Sequence, residues 1–521
     1  MREEGEAEKM RYSIKVVFYI FMLLIISACT LQEEPFDPKS TNAEHINPNV
    51  LVEAPFKGKV EGLPTIEAPQ GFDWKQFEGT ELTMISENTP PSAALAANID
   101  KFEAVTGIKV TIEQMDFVTV IEKVGLDFNA KASNYDIIYA DPYQILTKYQ
   151  ENFVDLNLFN KEPTMPHIPG GVEDFIQSQV DVVSYMENKE KFLALPYDAS
   201  TMVLAYRKDV FEKYKEMFIK EMGYDWTPGE SLTWQKYYEI GKWINKKVED
   251  GTITEVKYGI GHQAERHDSL MNDFSNILAA NGGDYLENSS SRSIGTNTPG
   301  NSTMTSEAAV QSLKFYKQLL SIAAPGSTSW DWRDLAEVFA KGELAMAPQW
   351  HDYSAVFANS QTSKVADKVG WTVLPKGTVR RAHTYGGTGI AINKYANSRE
   401  KKAAWLFLVW ATSPQSQYMI LKSEEGGTIP TRQSVYKLPE VQRGMEVGTI
   451  ESKEMPNLLS VRAALQAWEE ENMYIRPKIP QWPQINTFIF TELSTMLINK
   501  QSPEETAAEI AEKSDRVIKN K

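Results

Sequence analysis

The chain has 521 residues and a formal net charge of −16, because 54 Lys and Arg stand against 70 Asp and Glu. This acidic balance disfavours nucleic-acid binding and charge-driven docking on an anionic membrane, both of which depend on Lys and Arg. The length predicts two or more domains with their own cores, whereas the single cysteine excludes a disulfide framework and a thiolate metal site.

The first predicted element is a secretory signal segment. Arg11 and Lys15 precede an unbroken apolar run over residues 16–26, and small residues lead from there to Cys29. At about 1.5 Å per helical residue, this run is too short for a hydrocarbon core of about 30 Å. We therefore expect residues 1–28 to be a signal peptide and not a permanent span. The competing interpretation is a buried N-terminal helix with an incidental cysteine.

The end of the signal segment resembles the lipobox of bacterial lipoproteins. It reads Ile26-Ser27-Ala28-Cys29, which implies that Cys29 carries a lipid and that the protein is anchored outside the cytoplasm. Residues 29–78 are rich in Pro, Asn, Glu and Gly and lack a sustained apolar period. This composition predicts a flexible tether.

Ordered elements begin after the tether and alternate between strand and helix. Strands are predicted over residues 81–86, 108–112 and 135–140, with helices on Leu95, Ile99 and Phe102 and over residues 117–128. This order is typical of right-handed crossovers and a parallel sheet flanked by helices.

Polar side chains follow two of these strands. Glu87 and Asn88 come after the first strand, and Asp141 and Tyr143 come after the third. Because ligands of such sheets bind beyond the carboxyl ends of the strands, we expect these residues at a binding crevice. Tyr197 and Asp198 lie just before a strand over residues 203–206, in a Pro-containing segment that predicts a crossing point between lobes.

The later elements continue the α/β pattern. Strands are predicted over residues 258–261, 370–375 and 389–393, and helices over residues 233–246, 273–280 and 403–412. Thr305 or Ser306 is expected to cap another helix, and a capping box at Ser502 opens the last one.

A series of short motifs runs along the chain in a fixed order. It includes TGIKV (residues 106–110), YDIIYAD (135–141), LPYDAS (195–200), FAKGELAMAPQW (339–350), YGGTGIAIN (385–393), GGTIPTR (426–432) and RPKIPQWPQI (476–485). Together these motifs resemble the family 1 extracellular solute-binding proteins, the substrate receptors of ABC importers, a group that includes maltose-binding protein. The resemblance covers the chain from about residue 79 to the C-terminus.

The resemblance implies a two-lobed α/β fold in which each lobe has a mainly parallel sheet flanked by helices and a hinge joins the lobes. Lobe 1 would comprise residues 79–195 and 376–428, and lobe 2 residues 196–375 and 429–521. It also implies a monomer that captures a carbohydrate (an oligosaccharide, monosaccharide or polyol) between the lobes. The partner would be the transmembrane subunits of an ABC permease.

A neutral sugar offers hydroxyls and a weakly apolar ring face, so a matching site pairs acidic or amide side chains with flat aromatic platforms. Trp350 resembles a position at which family members stack an aromatic ring on the ligand. The candidate ligand-binding residues are Trp350, Asp198, Asp141, Tyr143, Tyr385, Gly387, Trp332, Trp330, Glu87, Asn88, Tyr197 and Asp352. The competing interpretations are a core residue for Trp350, a helix N-cap for Asp141 and a loop brace for Arg432.

Other chemistries find little support. The six histidines are scattered without an HExxH spacing, and the chain has no GxxxxGK[ST] phosphate loop and no GxSxG nucleophile elbow. We therefore expect no metal, no cofactor and no catalysis. Two alternatives stay open: a surface glycosidase using two carboxylates such as Asp141 and Asp198, and a receptor for a cationic solute such as a polyamine, which the charge of −16 would suit.

Overall fold

The computed structural model describes residues 46–186, 189–287, 299–423, 429–445, 455 and 457–519. The predicted signal peptide, Cys29 and the first part of the predicted tether lie outside these residues. Within the described part of the chain, no helix is both long and apolar enough to cross a membrane.

The strands are numbered in chain order. They are β1 (Asn47–Glu53), β2 (Glu67–Gln70), β3 (Glu81–Glu87), β4 (Lys109–Met115), β5 (Ile137–Ala140), β6 (Leu195–Asp198), β7 (Met202–Arg207), β8 (Tyr258–Ile260), β9 (Leu344–Trp350), β10 (Val369–Thr372), β11 (His383–Thr384), β12 (Thr388–Ile392) and β13 (Met473–Tyr474).

The α-helices flank these strands along the whole described chain. They span Pro90–Ala96, Asp100–Thr106, Phe117–Asn129, Thr147–Tyr149, Asn157–Asn160, Gln177–Val183, Lys208–Lys213, Lys215–Met222, Trp234–Glu249, Asp268–Ala280, Glu307–Leu320, Trp332–Ala340, Ser354–Ala358, Ser398–Ala411, Pro414–Leu421, Gln433–Tyr436, Pro439–Gly444, Leu458–Ala467, Trp482–Leu497 and Pro503–Lys519.

Two larger sheets organise the molecule. The first has the order β4-β3-β5-β12-β6 and the second the order β10-β7-β9-β8. The first sheet packs against a core that contains Phe102, Trp405 and Trp410, and the second packs against a core that contains Phe274 and Phe339. The predicted two-lobed α/β fold is confirmed.

Both sheets are mixed, so the expectation of mainly parallel sheets is wrong. In the first sheet β3 pairs parallel with β4 and β5, as the alternation of strands and helices predicts, but β12 runs antiparallel to β5 and β6. In the second sheet β7 runs antiparallel to β9 and β10, and β8 is parallel to β9. The crossover rule governs strands linked by a local helix, whereas β7 and β12 enter their sheets from the other lobe.

The chain passes from the first sheet to the second within a few residues. β6 belongs to the first sheet and β7 to the second, so the crossing occupies residues 199–201. Thr201 pairs there with Tyr385, which lies on the returning segment between β11 and β12. Two crossing segments thus run side by side between the sheets.

The predicted tether is folded from Asn47 onwards. β1 and β2 pair antiparallel, and Ile66 and Phe77 are buried in the same cluster as Trp410. This part of the tether prediction is wrong. The segment covers the core of the first lobe as an irregular layer, so its apolar contacts show neither a helical nor a strand period.

Local hydrogen bonds explain where predicted helices begin and end. The helix predicted on Leu95, Ile99 and Phe102 is two helices, because the side chain of Asn98 donates to the Ala94 carbonyl oxygen at 2.8 Å and competes with helix continuation. The capping box at Ser502 is confirmed: its amide donates to Glu505 at 2.8 Å, and the Glu505 amide donates to the Ser502 hydroxyl at 3.2 Å.

Arg432 is buried and braces loops. Its Nε donates to the carbonyl oxygen of Thr412 at 2.7 Å, and its Nη1 donates to that of Pro169 at 3.0 Å. Its guanidinium carbon lies 3.5 Å from the ring centroid of Phe175. The guanidinium therefore ties the end of one helix to the loop before Phe175, and the side chain is fully enclosed.

We expect Arg432→Lys to lower the free energy of unfolding by about 2–4 kcal/mol, because an ammonium cannot reproduce the planar set of donors and leaves buried carbonyl oxygens unpaired. Urea-induced equilibrium unfolding measures the change. Arg516→Lys is the matched control, since Arg516 is exposed and pairs with Glu512 one helical turn away. Equal effects of the two substitutions would contradict the bracing role.

Candidate functional site

A cavity with about 490 Å³ of space free of protein atoms lies between the two sheets. Glu87 is the last residue of β3, Asp141 follows β5 and Trp350 is the last residue of β9. All three line the cavity. The strands of both sheets thus end at the same cavity, as expected for α/β ligand sites.

The structure brings together five of the candidate residues as cavity lining: Glu87, Asp141, Trp332, Trp350 and Asp352. Trp332 begins the helix Trp332–Ala340, and its ring meets Phe117 edge to face with the centroids 6.0 Å apart. Carboxylates from the first sheet and aromatic rings from the second sheet and its helices therefore share one space.

Four further candidates lie directly behind the lining. Asp198 accepts hydrogen bonds from the Tyr139 hydroxyl at 3.1 Å and from the Ser200 hydroxyl at 2.9 Å. Tyr143 packs its ring against the guanidinium of Arg476, and the carbonyl oxygen of Tyr385 accepts from the same guanidinium at 3.3 Å. The fourth, Gly387, stands between two lining residues.

Three candidates lie elsewhere. Tyr197 is buried in the first lobe, where its hydroxyl donates to the Pro91 carbonyl oxygen at 2.8 Å. Trp330 is half-buried and packs over Gly326. Asn88 is exposed and lines a separate groove. Sequence position alone did not separate these residues from the true lining, because neighbouring residues on a strand or turn point to different faces.

Asp141 is an N-cap and also a lining residue of the cavity. Its Oδ1 accepts from the backbone amides of Tyr143 at 2.8 Å and Gln144 at 2.6 Å, so it caps the turn Pro142–Leu146. The same side chain lines the cavity. Capping fixes this carboxylate in position, and its orientation does not depend on a ligand.

The double glycine before β12 has a steric cause. A Cβ on Gly386 would come within 2.5 Å of the Trp350 ring, and one on Gly387 would come within 2.0 Å of the Tyr385 hydroxyl. Both positions therefore exclude a side chain. The backbone can then lie directly against Trp350 at the cavity wall.

Burial and like charge dominate the electrostatics of the site. Burial raises the pKa of Glu87 well above its usual value, and Asp198, Asp141 and Asp352 raise it further. Burial raises the pKa of Asp198 to about 7, with Asp352 as the next cause. Burial raises the pKa of Asp141 to about 6, although the guanidinium of Arg476 opposes the shift.

Sequence reasoning missed several lining residues, among them Tyr139, Tyr353, Thr388, Asp268, Asn272 and Arg476. Asp268 and Asn272 share one face at the start of the helix Asp268–Ala280, which had been predicted to begin only at residue 273. Arg476 opens the Pro-rich motif RPKIPQWPQI, but the motif also contains Lys478, so the sequence pattern does not single out Arg476. The aromatic residues are not distinguished either, because core and cavity aromatics look alike in sequence.

A family model described as bacterial extracellular solute-binding protein matches residues 86–418 of the chain. A probable amino-acid ABC transporter periplasmic-binding protein of Sinorhizobium fredii is 23% identical over 449 residues, which are 86% of this chain and 91% of that protein.

Two solved structures share the fold. An ABC transporter solute-binding protein of Agrobacterium radiobacter in complex with ribitol has a TM-score of 0.67 and 24% identity, over 85% of this chain and 99% of that one. Maltose-bound MalE3 of T. maritima has a TM-score of 0.67 and 24% identity, over 83% of this chain and 98% of that one.

The raised pKa values predict a pH-dependent stability. Asp141 and Asp198 bind protons more tightly in the folded state than in the unfolded state, where the pKa is about 3.9. Their contribution to stability is therefore fully present below about pH 4 and is lost as the pH rises through about 6–7. We expect Asp198→Asn to reduce this loss by an amount on the order of a few kcal/mol.

Thermal unfolding of the ligand-free protein between pH 4.5 and 8 measures this effect as the difference in slope between wild type and variant. Asp100→Asn is the control, because Asp100 is exposed on the helix Asp100–Thr106. Parallel curves for wild type and Asp198→Asn would show that the buried carboxylate does not titrate in this range.

Proposed function

The chain belongs to the bacterial extracellular solute-binding proteins, and from this premise we propose that it captures a carbohydrate between its lobes and delivers it to the transmembrane subunits of an ABC permease. The observation that carries the proposal is the pairing of buried carboxylates with aromatic rings around one cavity. Carboxylates accept hydrogen bonds from hydroxyls, and ring faces cover the apolar face of a sugar.

Two solved structures that share the fold support a polyhydroxylated solute. The Agrobacterium protein was solved with ribitol and the T. maritima protein with maltose. Binding, not turnover, is the proposed activity, because Asp198 of the glycosidase alternative is engaged by Tyr139 and Ser200 behind the lining.

The division into lobes and the hinge are part of the proposal. We assign residues 79–195 and 376–428 to lobe 1 and residues 196–375 and 429–521 to lobe 2. The strands β3, β4, β5 and β12 of the first sheet fall in lobe 1 and the strands β7 to β10 of the second sheet fall in lobe 2, whereas β6 crosses the boundary at residue 195. The crossing at residues 199–201 and the segment from β11 to β12 would form the hinge. A ligand that contacts both lobes then shifts the open–closed population by its preference for the closed form.

The direct test is a thermal-shift screen of the secreted chain carrying Cys29→Ser against saccharides, polyols, polyamines, amino acids and peptides. A ligand of the native state raises the melting temperature by mass action. A shift from one group of saccharides or polyols supports the proposal. Shifts from amino acids or peptides alone would overturn the carbohydrate assignment and leave the receptor fold intact.

We expect Trp350→Ala to weaken binding of the solute found in this screen by roughly 1–3 kcal/mol, through lost stacking and burial. Isothermal titration calorimetry measures the change. Trp330→Ala is the matched control, because Trp330 lies outside the cavity lining. The affinity of this variant for the solute should stay at the wild-type level. Unchanged affinity of Trp350→Ala would show that this ring is structural.

Lipid anchoring gives a further prediction. If Cys29 carries the lipid, Cys29→Ser should move the protein from the membrane fraction to the soluble extracytoplasmic fraction, because two or three acyl chains provide the attachment. Fractionation and immunoblotting measure the distribution, with Ser27→Ala as a substitution that keeps the thiol. Retention of Cys29→Ser in the membrane fraction would refute the anchor.

A further inference from the structure

Two carboxylates line the cavity from the ends of strands in different sheets. Glu87 ends β3 in the first sheet, and Asp352 follows β9 of the second. Their exposed fractions are 8% and 3%. The Oδ1 atom of Asp352 is buried without a hydrogen-bond partner among the described residues, and its neighbour His351 Nδ1 is 3.6 Å away, too far for a hydrogen bond. The site therefore contains a buried hydrogen-bond acceptor that no described residue satisfies.

The lining donors are largely used within the protein. The hydroxyls of Tyr139 and Ser200 donate to Asp198, at 3.1 Å and 2.9 Å. The Asn272 amide donates to Asp268 at 2.9 Å, while its Oδ1 is a second buried acceptor without a partner in the described chain. Arg476 Nε is a buried donor without a partner among the described residues, whereas the unpaired oxygens of Asp352 and Asn272 are acceptors.

The nearby cations are also engaged. Arg476 lies 3.5 Å from a carboxylate oxygen of Asp268 and opposes the pKa shift of Asp141. Arg333 lies 3.1 Å from Asp331. Among the described residues, no Lys or Arg pairs directly with Glu87 or Asp352, although Arg333 is near enough to lower the pKa of Glu87. Both carboxylates lie near enough to Asp198 to repel it.

Aromatic rings complete the environment. Trp332, Trp350 and Tyr353 line the cavity together with Glu87 and Asp352. The faces of such rings attract a cation as well as the carbon skeleton of a sugar. Buried carboxylates beside aromatic faces are the combination that recognises organic ammonium groups.

We propose that the solute is a polyhydroxylated amine, such as an amino sugar or an amino-alditol, whose ammonium group lies between Glu87 and Asp352. An ammonium donates three hydrogen bonds and accepts none, which matches the unpaired oxygens of Asp352 and Asn272, whereas a neutral hydroxyl also brings lone pairs that need donors. The proposal rests on the solute-binding function proposed above and refines its substrate class.

The like-charge arrangement around Glu87 supports this assignment. Burial raises the pKa of Glu87, and the neighbouring carboxylates Asp198, Asp141 and Asp352 raise it further. An ammonium ion would supply the balancing charge directly. A neutral polyol would leave the repulsion between these carboxylates unchanged.

The test compares D-glucamine with D-glucitol, two open-chain probes that differ only by an amine in place of one hydroxyl, and D-glucosamine with D-glucose as the ring-form pair. Calorimetry on the full secreted chain at pH 7 should give at least about tenfold tighter binding of the amine in one of the pairs. Glu87→Gln and Asp352→Asn should each remove most of this preference, measured as the ratio of the affinities for the amine and for the neutral probe in the same variant.

Asp136→Asn is the matched control, because Asp136 is a buried carboxylate that bonds the Thr83 amide and does not line the cavity. Melting temperatures show whether each variant is folded. If one of the two cavity variants is unfolded, the other variant provides the test.

Equal binding of the amine and neutral probes, or binding of neutral saccharides alone, would contradict the proposed amine substrate and leave the proposed function intact. Binding of polyamines without binding of any polyhydroxylated amine would also contradict the proposed amine substrate. If no saccharide, polyol or amine binds, both proposals are wrong.

Discussion

The site depends on the burial of several carboxylates around one small cavity. Each loses hydration and repels the others, and the raised pKa values of Glu87, Asp141 and Asp198 express that cost. The protein offsets part of it with fixed donors: backbone amides hold Asp141, and the hydroxyls of Tyr139 and Ser200 hold Asp198. In the proposed function the solute would offset the remainder, so the groups that destabilise the ligand-free site would be those that favour binding.

The topology explains how these groups meet. β5 and β6 end at the same edge of the first sheet because β12 runs antiparallel between them, and this brings Asp141 and Asp198 to one side. The second sheet presents Trp350 at the end of β9, beside the start of β7. The crossing at residues 199–201 joins β6 to β7, so the same short segment that links the lobes also aligns the two sets of strand ends.

The sequence predicted the strand ends well and the side-chain directions poorly. Glu87 and Asp141 were found because strand periodicity located the ends of β3 and β5, a property of the backbone alone. Tyr197 and Asp198 are adjacent, yet Tyr197 bonds Pro91 inside the first lobe whereas Asp198 faces Tyr139 behind the cavity. Arg476 is far from both in sequence, and its place beside Asp268 follows from tertiary packing that no local pattern encodes.

The folded part of the predicted tether also depends on tertiary packing that no local sequence pattern encodes. Ile66 and Phe77 are buried by contact with the surface of an existing lobe and not by a regular element of their own. The periodicity of apolar residues reveals segments that build a core, but it does not reveal segments that cover an existing core. Composition therefore indicated disorder where packing on a preformed surface supplies the order.

The contacts between the lobes determine what a solute has to do. Gln144, after β5, donates to Asp268 on the facing helix at 3.1 Å, and Arg476 lies over Tyr143 with 3.8 Å between its guanidinium carbon and the ring centroid. Both contacts join residues that belong to different sheets. In the proposed closure, a solute would shift the equilibrium only through interactions that are better in the closed form. Glu87 and Asp352 follow strands of different sheets, so a group that bridged them would be bound more strongly when the lobes are closed, and recognition and closure would then be the same event.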